Sequence, residues 1–401
     1  MRFLFVHEVN WRSKVTYEIH DIPELLSLAG HTVFFIDYPE VSSDKSSLRA
    51  RFFRTTVSTE HSRAHKGSSV KVLTPGRILP GLADRLIASL TFVPLLIKTI
   101  RNEKIDLIVL YGVPTNGWQT VVTSKILRVP IIFRAIDASH LLRGSRFKFL
   151  IRMVERFIYT NVDHISVHNV ALAEYCIKFG AKREKVSVEY PRLDMNRFSP
   201  GGRDDDLAAK YGIQPTQKIV FFRGTLYRFC GLEQFLELFS TTLRNDSNIV
   251  VLIVGSGESE QTINAAIERL GIQRQVILRP FVDYAELVKH ICLADVSINT
   301  FVPSLVTDCA LPGRVLQSLS CGVAVVSTPL KGILGYTGSS NAVVYATLGH
   351  EFVKAVNHLL ANSDERDQLA VAGRQLIESK GDWNDFTSEF VRLAQKVVAL
   401  K

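Results

Sequence analysis

At 401 residues, 46% hydrophobic and 22% charged, the chain has the composition of a globular protein long enough for two cores. Its longest apolar segments, such as 86–97, are broken by polar residues and too short to span a bilayer, and its five cysteines lack metal-ligand spacing, which favours reduced thiols. The net charge of +9 is uneven: residues 1–200 hold 29 Lys+Arg against 18 Asp+Glu, whereas residues 201–401 hold 19 against 21.

A basic first half calls for an anionic partner. The sequence carries no helix-turn-helix, zinc-finger or RNA-recognition signature, so no nucleic acid is expected. An anionic membrane surface or a phosphorylated acceptor fits the charge better.

The run Phe3–Val6 holds four apolar residues before charge returns, which reads as a first strand rather than a signal peptide. A helix is predicted over Tyr17–Ala29, ended by Gly30, and His31–Asp37 reads as the second strand. Strand, helix and parallel strand in this order open a doubly wound α/β domain. Arg12 and Lys14, in the loop between the first strand and helix, are candidate phosphate contacts.

Residues 42–85 are polar and basic, with Arg49, Arg51, Arg54, Arg63, Lys66, Lys71, Arg77 and Arg85. A strand is expected at Val70–Leu73 and mobile loop elsewhere, where acceptor contacts are often carried. Leu86–Ile100 and Val121–Leu127 read as helices, and Ile105–Leu110 and Pro130–Phe133 as strands. The segment Arg134–His140 is then expected just past a strand's carboxyl end, where open α/β sheets place ligands. Asp137 within it is either a functional carboxylate or a helix N-cap. Arg143–Tyr159 is a basic amphipathic helix. Its apolar residues either face a core or lie on a membrane surface.

Strand His164–His168, helix Ala171–Phe179 and strand Val186–Glu189 complete the first half. Pro191–Pro200 closes it, and the polar stretch Gly201–Asp206 reads as a linker. The second half opens with strand Ile219–Phe222. The loop Arg223-Gly224-Thr225-Leu226-Tyr227-Arg228-Phe229-Cys230-Gly231 follows and enters a helix. A glycine-flanked basic loop before a helix suits phosphate. Strand Ile249–Val254 is followed by Gly255-Ser256-Gly257-Glu258, which lacks the third glycine of a nicotinamide site. Val276–Pro280 and Val296–Ile298 read as further strands.

The stretch Asp308–Thr328 is the most informative. Pro312 suits the first position of a helix and Gly322 the residue past its end, and Val323–Ser327 reads as a strand buried on both faces. Arg314 and Gln317, three residues apart, share one helix face. A helix start concentrates free N–H groups and partial positive charge, and an arginine adds a planar, always-charged fork for phosphate oxygens. A core helix with solvated Arg314 and Gln317 is the plainer alternative.

The segment Leu311-Pro312-Gly313-Arg314-Val315-Leu316-Gln317, continued to Val326, resembles the donor-site signature of family-4-type glycosyltransferases with the GT-B fold. The resemblance extends in order along nearly the whole chain. It implies two Rossmann-like domains facing across a cleft: an acceptor domain at 1–200, a nucleotide-sugar donor domain at 201–381, and a terminal helix at 382–401 crossing back to the first. It implies that Arg314 holds the donor diphosphate and that Gln317, at a usual glutamate, faces the ribose. Asp308, with Cys309 where the family often has a second glutamate, becomes a candidate catalytic residue beside Asp137. The loop at Gly224, Thr225 and Arg228 is similar to the family's phosphate loop. Thr225 and Cys230 occupy its usual basic positions, so Arg228 is the first substitute and Arg223 the next. Gly255 and Gly257 match a family Gly-x-Gly motif, and Phe281 and Val282 lie where the base pocket is lined.

The function implied is a retaining, hexosyltransferase-type enzyme of polysaccharide biosynthesis. It would move a sugar from a nucleotide-diphosphate sugar to a glycan or lipid-linked acceptor, with no metal or other cofactor required. The expected place is cytoplasmic, peripheral on the inner face of the cell membrane. A catalytically inactive nucleotide-sugar-binding relative and a nucleotide-sugar epimerase are the alternatives.

Overall fold

A computed structural model describes residues 1–38, 55–60, 63–76, 89–142 and 148–401. Arg49, Arg51, Arg54, Arg77 and Arg85 of the basic stretch, and residues 143–147, lie outside the described residues. The chain forms two compact units, one of Met1–Pro191 with Trp383–Lys401 and one of Arg192–Asp382.

The first unit is built on an eight-stranded sheet of β1 (Arg2–Val6), β2 (Thr32–Ile36), β3 (Thr56–Glu60), β4 (Val70–Thr74), β5 (Leu107–Leu110), β6 (Ile131–Ala135), β7 (His164–Val167) and β8 (Val186–Val188), ordered β3-β4-β2-β1-β5-β6-β7-β8. All pairs are parallel except β3 with β4, where Thr56 faces Thr74 and Glu60 faces Val70. β3 falls in a stretch expected to be loop. Its Thr-Val-Ser-Thr run has strand propensity but no apolar alternation to announce it.

β1 is buried from Phe3 to Val6 because parallel strands covered on both faces have no solvent side. Its core joins Phe3, Phe5 and Trp11 to Ile19, Ile22 and Leu26 of the helix Glu18–Leu28. The final helix, Trp383–Ala399, completes that core with Trp383, Phe386, Phe390, Ala394 and Val397. Trp383 is 6% exposed, edge-on to the His65 ring at 6.2 Å.

The second unit has a six-stranded, all-parallel sheet of β9 (Lys218–Arg223), β10 (Ile249–Val254), β11 (Val276–Arg279), β12 (Val296–Asn299), β13 (Ala324–Ser327) and β14 (Val344–Tyr345), ordered β11-β10-β9-β12-β13-β14. Chain order runs outward from β9 on one side and from β12 on the other. The β9/β12 junction is therefore the topological switch point, and Arg223 and Asn299 are the last residues of its two strands. Both units are doubly wound α/β folds with sheets that are parallel apart from β3.

Candidate functional site

Everything that converges on the switch point does so for a local reason. Gly224 follows β9 with φ +139°, a region that side chains avoid, and a Cβ there would meet Arg314 Nη2 at 2.7 Å. A Cβ on Gly255 would lie 1.9 Å from the Gly224 carbonyl oxygen. The loops after β9 and β10 are thus in backbone contact. They are joined by Gly224 N–H donating to Val254 O and Leu226 N–H to Ser256 O, at 3.0–3.1 Å, while Gly255 N–H donates to Arg279 O of β11 at 2.8 Å. Gly257 likewise lies beneath Leu226. The Gly-x-Gly loop packs the phosphate-type loop from below, with the Gly224 and Gly255 N–H groups already committed.

The helix Gly313–Ser320 carries Arg314 and Gln317 to this point. Pro312 caps it rather than opening it: its ψ of 116° is extended, so Gly313 is the first helical residue. Leu311 and Pro312 are buried beneath the helix start, and Gly322, at φ +69°, ends the helix as expected.

Arg314 is half-buried, with its guanidinium carbon 4.3 Å from the Phe222 ring centroid and 4.5 Å from that of Phe301. Its Nη1 is buried with no hydrogen-bond partner among the described residues. Burial pulls Arg314 down to about 9, and the like charge of Arg223 adds to the fall. Arg223 is held by its Nη1 donating to Gln317 Oε1 at 2.6 Å, and burial pulls it down too. Gln317 is 7% exposed. The result is two guanidinium groups packed at the carboxyl ends of the switch-point strands, one oriented by a neutral amide and one with an unused donor.

Aromatic packing braces the pair. Tyr227 stacks on Phe229 at 4.9 Å, Phe229 meets Phe301 edge-on at 5.1 Å, and Phe301 lies against Arg314. Thr300 Oγ1 donates to Cys230 O at 2.6 Å, tying the β9 loop to the end of β12. Sequence reasoning missed this bracing because no local pattern brings Phe222 and Phe301 to the same arginine.

The other expected site residues are placed differently. Arg228 points away, 88% exposed, with its Nε 3.7 Å from Glu258 Oε2. Thr225 is half-buried in the loop, and Phe281 and Val282 are half-buried just beyond β11. Asp308 accepts the Lys331 N–H at 3.2 Å and pairs with its ammonium at 3.5 Å, so it satisfies the first N–H of the helix Lys331–Thr337. Cys309 is buried, and that burial, with Asp308 beside it, pushes the thiol up to about 12.

In the first unit, β6 runs two residues further than expected, so Arg134 is a strand residue rather than a loop residue. It is fully buried and holds Glu18 with two bonds of 2.8 Å, and its Nη1 donates to Ser166 Oγ and Glu189 O. Asp137 follows at the strand's carboxyl end, half-buried and accepting from Ser139 Oγ at 3.0 Å. His140 is turned inward to Glu155 and Tyr175. Arg12 is exposed, and its carbonyl, with those of Trp11 and Lys14, accepts from the Arg63 guanidinium.

Two family descriptions match most of the chain, one in each unit: "Glycosyl transferase 4-like domain" over residues 37–191 and "Glycosyl transferases group 1" over 204–376. The chain belongs to the family-4-type glycosyltransferases with the GT-B fold.

Among this family's members, the chain is 28% identical over 159 residues to a D-inositol 3-phosphate glycosyltransferase of Segniliparus rotundus, covering 39% of this chain and 34% of the relative. It is 26% identical over 275 residues to one of Nocardia farcinica, covering 65% and 59%. These alignments span less than two thirds of the relatives' lengths. Sucrose-phosphate synthase from Thermosynechococcus elongatus has the same fold over 100% of both chains, with TM-score 0.78 and 15% identity. The Anabaena HepE structure in complex with UDP and glucose follows it over 98% and 99%, with TM-score 0.74 and 17% identity.

Proposed function

We propose that the chain is a retaining glycosyltransferase, holding a nucleotide-diphosphate sugar in its second unit and passing the sugar to a glycan or lipid-linked acceptor. The observation that carries the reading is the Arg223–Arg314 pair at the β9/β12 switch point, with Arg314 Nη1 buried and unpartnered. A buried donor without an acceptor is costly, and a phosphate oxygen answers it with a charge-assisted bond. As the glycosidic bond to the donor breaks, negative charge builds on the departing diphosphate. Two fixed guanidinium groups and the start of the Gly313–Ser320 helix stabilise that charge without reorganising.

Gln317 spends its carbonyl oxygen on Arg223. It leaves its amide N–H groups for a ribose oxygen. Asp308 is the carboxylate we propose for the donor sugar in the second unit, and Asp137 is the candidate catalytic carboxylate of the first. HepE, whose structure holds UDP and glucose, supports a uridine nucleotide as the first donor to try. The inositol-phosphate relatives support an anionic acceptor, in line with the basic first half. The setting proposed is polysaccharide biosynthesis at the inner face of the cell membrane.

A binding protein without turnover is the second reading. It is favoured by Cys309, a neutral buried thiol where the family often carries a glutamate. The test combines thermal unfolding with UDP and UDP-sugars and a single-turnover assay using membrane extract as acceptor source. A ligand at 100 times its Kd stabilises the native state by about 2.7 kcal/mol. An upward shift in melting temperature with transfer or hydrolysis is expected. No shift with any nucleoside diphosphate rejects the site, and tight binding without turnover gives the second reading.

A further inference from the structure

The helix Lys148–Asn161 buries Ile151, Glu155, Ile158 and Tyr159 and turns the rest of its apolar residues outward. Phe149 is 76% exposed, Leu150 56%, Met153 54% and Phe157 36%. Phe149, Met153 and Phe157 recur every four residues, so they form one stripe. The adjacent helix, Gly117–Leu127, does the same. Trp118, Val122 and Ile126 are exposed at the same spacing, with Ile126 at 73%. The two helices touch: a Cβ on Gly117 would lie 2.7 Å from Ile158 Cδ1. Their inner faces look toward the sheet, as the Phe133–Tyr159 ring contact at 5.7 Å shows. Two stripes, each about 12 Å long at 1.5 Å per residue, therefore lie on neighbouring helices at the surface of the first unit.

Exposed apolar residues scattered singly need no explanation, but a paired stripe ending in aromatic side chains does. The exposed charge on these two helices is of one sign. Lys125, Arg128, Lys148, Arg152 and Arg156 are exposed on or beside the two helices. Glu155, the one acid in either helix, is fully buried and takes bonds from His140 and Tyr175. The helix Ser89–Asn102, packed beside Gly117–Leu127, has no acidic residue either.

We propose that this two-helix face docks on an anionic lipid surface, with Trp118, Ile126, Phe149 and Met153 entering the headgroup region and the cations meeting lipid phosphates. The core of an interface between proteins is depleted in charge, whereas on this face cations are interleaved with the apolar residues. A lipid surface takes both parts, because long basic side chains lay their stems along apolar surface and keep their charges at the phosphates. Tryptophan suits the same boundary. The face places the basic half of the chain against a membrane, and it stands independently of the donor site.

The test is sedimentation of the full chain with vesicles of phosphatidylcholine alone or mixed with phosphatidylglycerol. Binding to the mixed vesicles is expected, weakening as salt rises because the Debye length falls. The variant Phe149→Ser/Met153→Ser/Phe157→Ser should lose at least tenfold in partitioning, and so should Arg152→Glu/Arg156→Glu. Both should keep the parent's melting temperature and UDP affinity, since all five side chains are exposed and outside the donor site. Trp118 emission should shift to the blue on binding, and Trp118→Phe should remove that shift while retaining binding. Equal binding to neutral vesicles, binding to neither, or unchanged partitioning of the folded variants overturns the proposal. So does a dimer of the parent chain in solution that the triple serine variant dissolves, which would assign the face to a second copy.

Discussion

The Arg314 guanidinium packs against two aromatic rings, Phe222 at 4.3 Å and Phe301 at 4.5 Å. Solvent competes less for a group packed in this way, which strengthens its hold on an anion. Arg314→Ala removes a charge-assisted contact worth about 1.5–3 kcal/mol. UDP affinity, read by calorimetry, should fall by roughly 10- to 150-fold. Arg314→Lys should recover little of it, since an ammonium on a flexible stem lacks the planar fork that packs against the rings. Unchanged UDP affinity in a folded Arg314→Ala protein removes the residue from the site. Arg314 and Gln317 were legible in the sequence because helical spacing alone puts them on one face. The order of Arg223 and Arg228 was not. Arg223 is the last residue of β9 and reaches Gln317, whereas Arg228 lies beyond a loop whose path no local pattern gives.

At the level of elements, Arg134 joins the helix Glu18–Leu28 to β6, β7 and β8 through Glu18, Ser166 and Glu189. Burial alone would raise the Glu18 pKa, but the Arg134 guanidinium prevails and holds it below the ordinary carboxylate range. The sign follows. A depressed carboxylate adds stability that is complete above its unfolded value of about 4.3 and is lost as pH falls through the lower folded value. Urea unfolding across acid pH should show that loss, and Glu18→Gln should flatten it. Arg134→Leu leaves a buried carboxylate uncompensated and should cost about 3–5 kcal/mol. A change below about 1 kcal/mol would mean that the pair is incidental. This network was hidden in the sequence. β6 was expected to stop at Phe133, and an arginine inside a parallel strand reads as loop unless its partner, 116 residues away, is known. The helix Lys148–Asn161 shows the same limit. Its apolar residues were evident, but only the packing of Ile151 and Ile158 decides that Phe149 and Met153 face outward.

Across the whole molecule, the two parallel sheets were legible because apolar strands and amphipathic helices alternate in an order that admits few topologies. The chemistry at the β9/β12 switch point then bears on metal dependence. A departing nucleoside diphosphate needs positive charge, and divalent ions commonly supply it. Here the Arg223–Arg314 pair is already fixed, and burial lowers both pKa values, the mark of cations held where counter-charge is welcome. The helix start at Gly313 adds its N–H groups. An ion on the same phosphates would sit beside two guanidinium groups and be repelled by both. Turnover should therefore continue in excess EDTA at no less than about a tenth of its rate with magnesium, a barrier change within about 1.4 kcal/mol. The Arg314→Ala variant is the informative control. With one cation removed, magnesium should recover part of its lost donor affinity while leaving the parent unchanged. Complete loss of the parent's activity on chelation, restored by adding metal back, would mean that the two arginines do not carry the leaving group's charge.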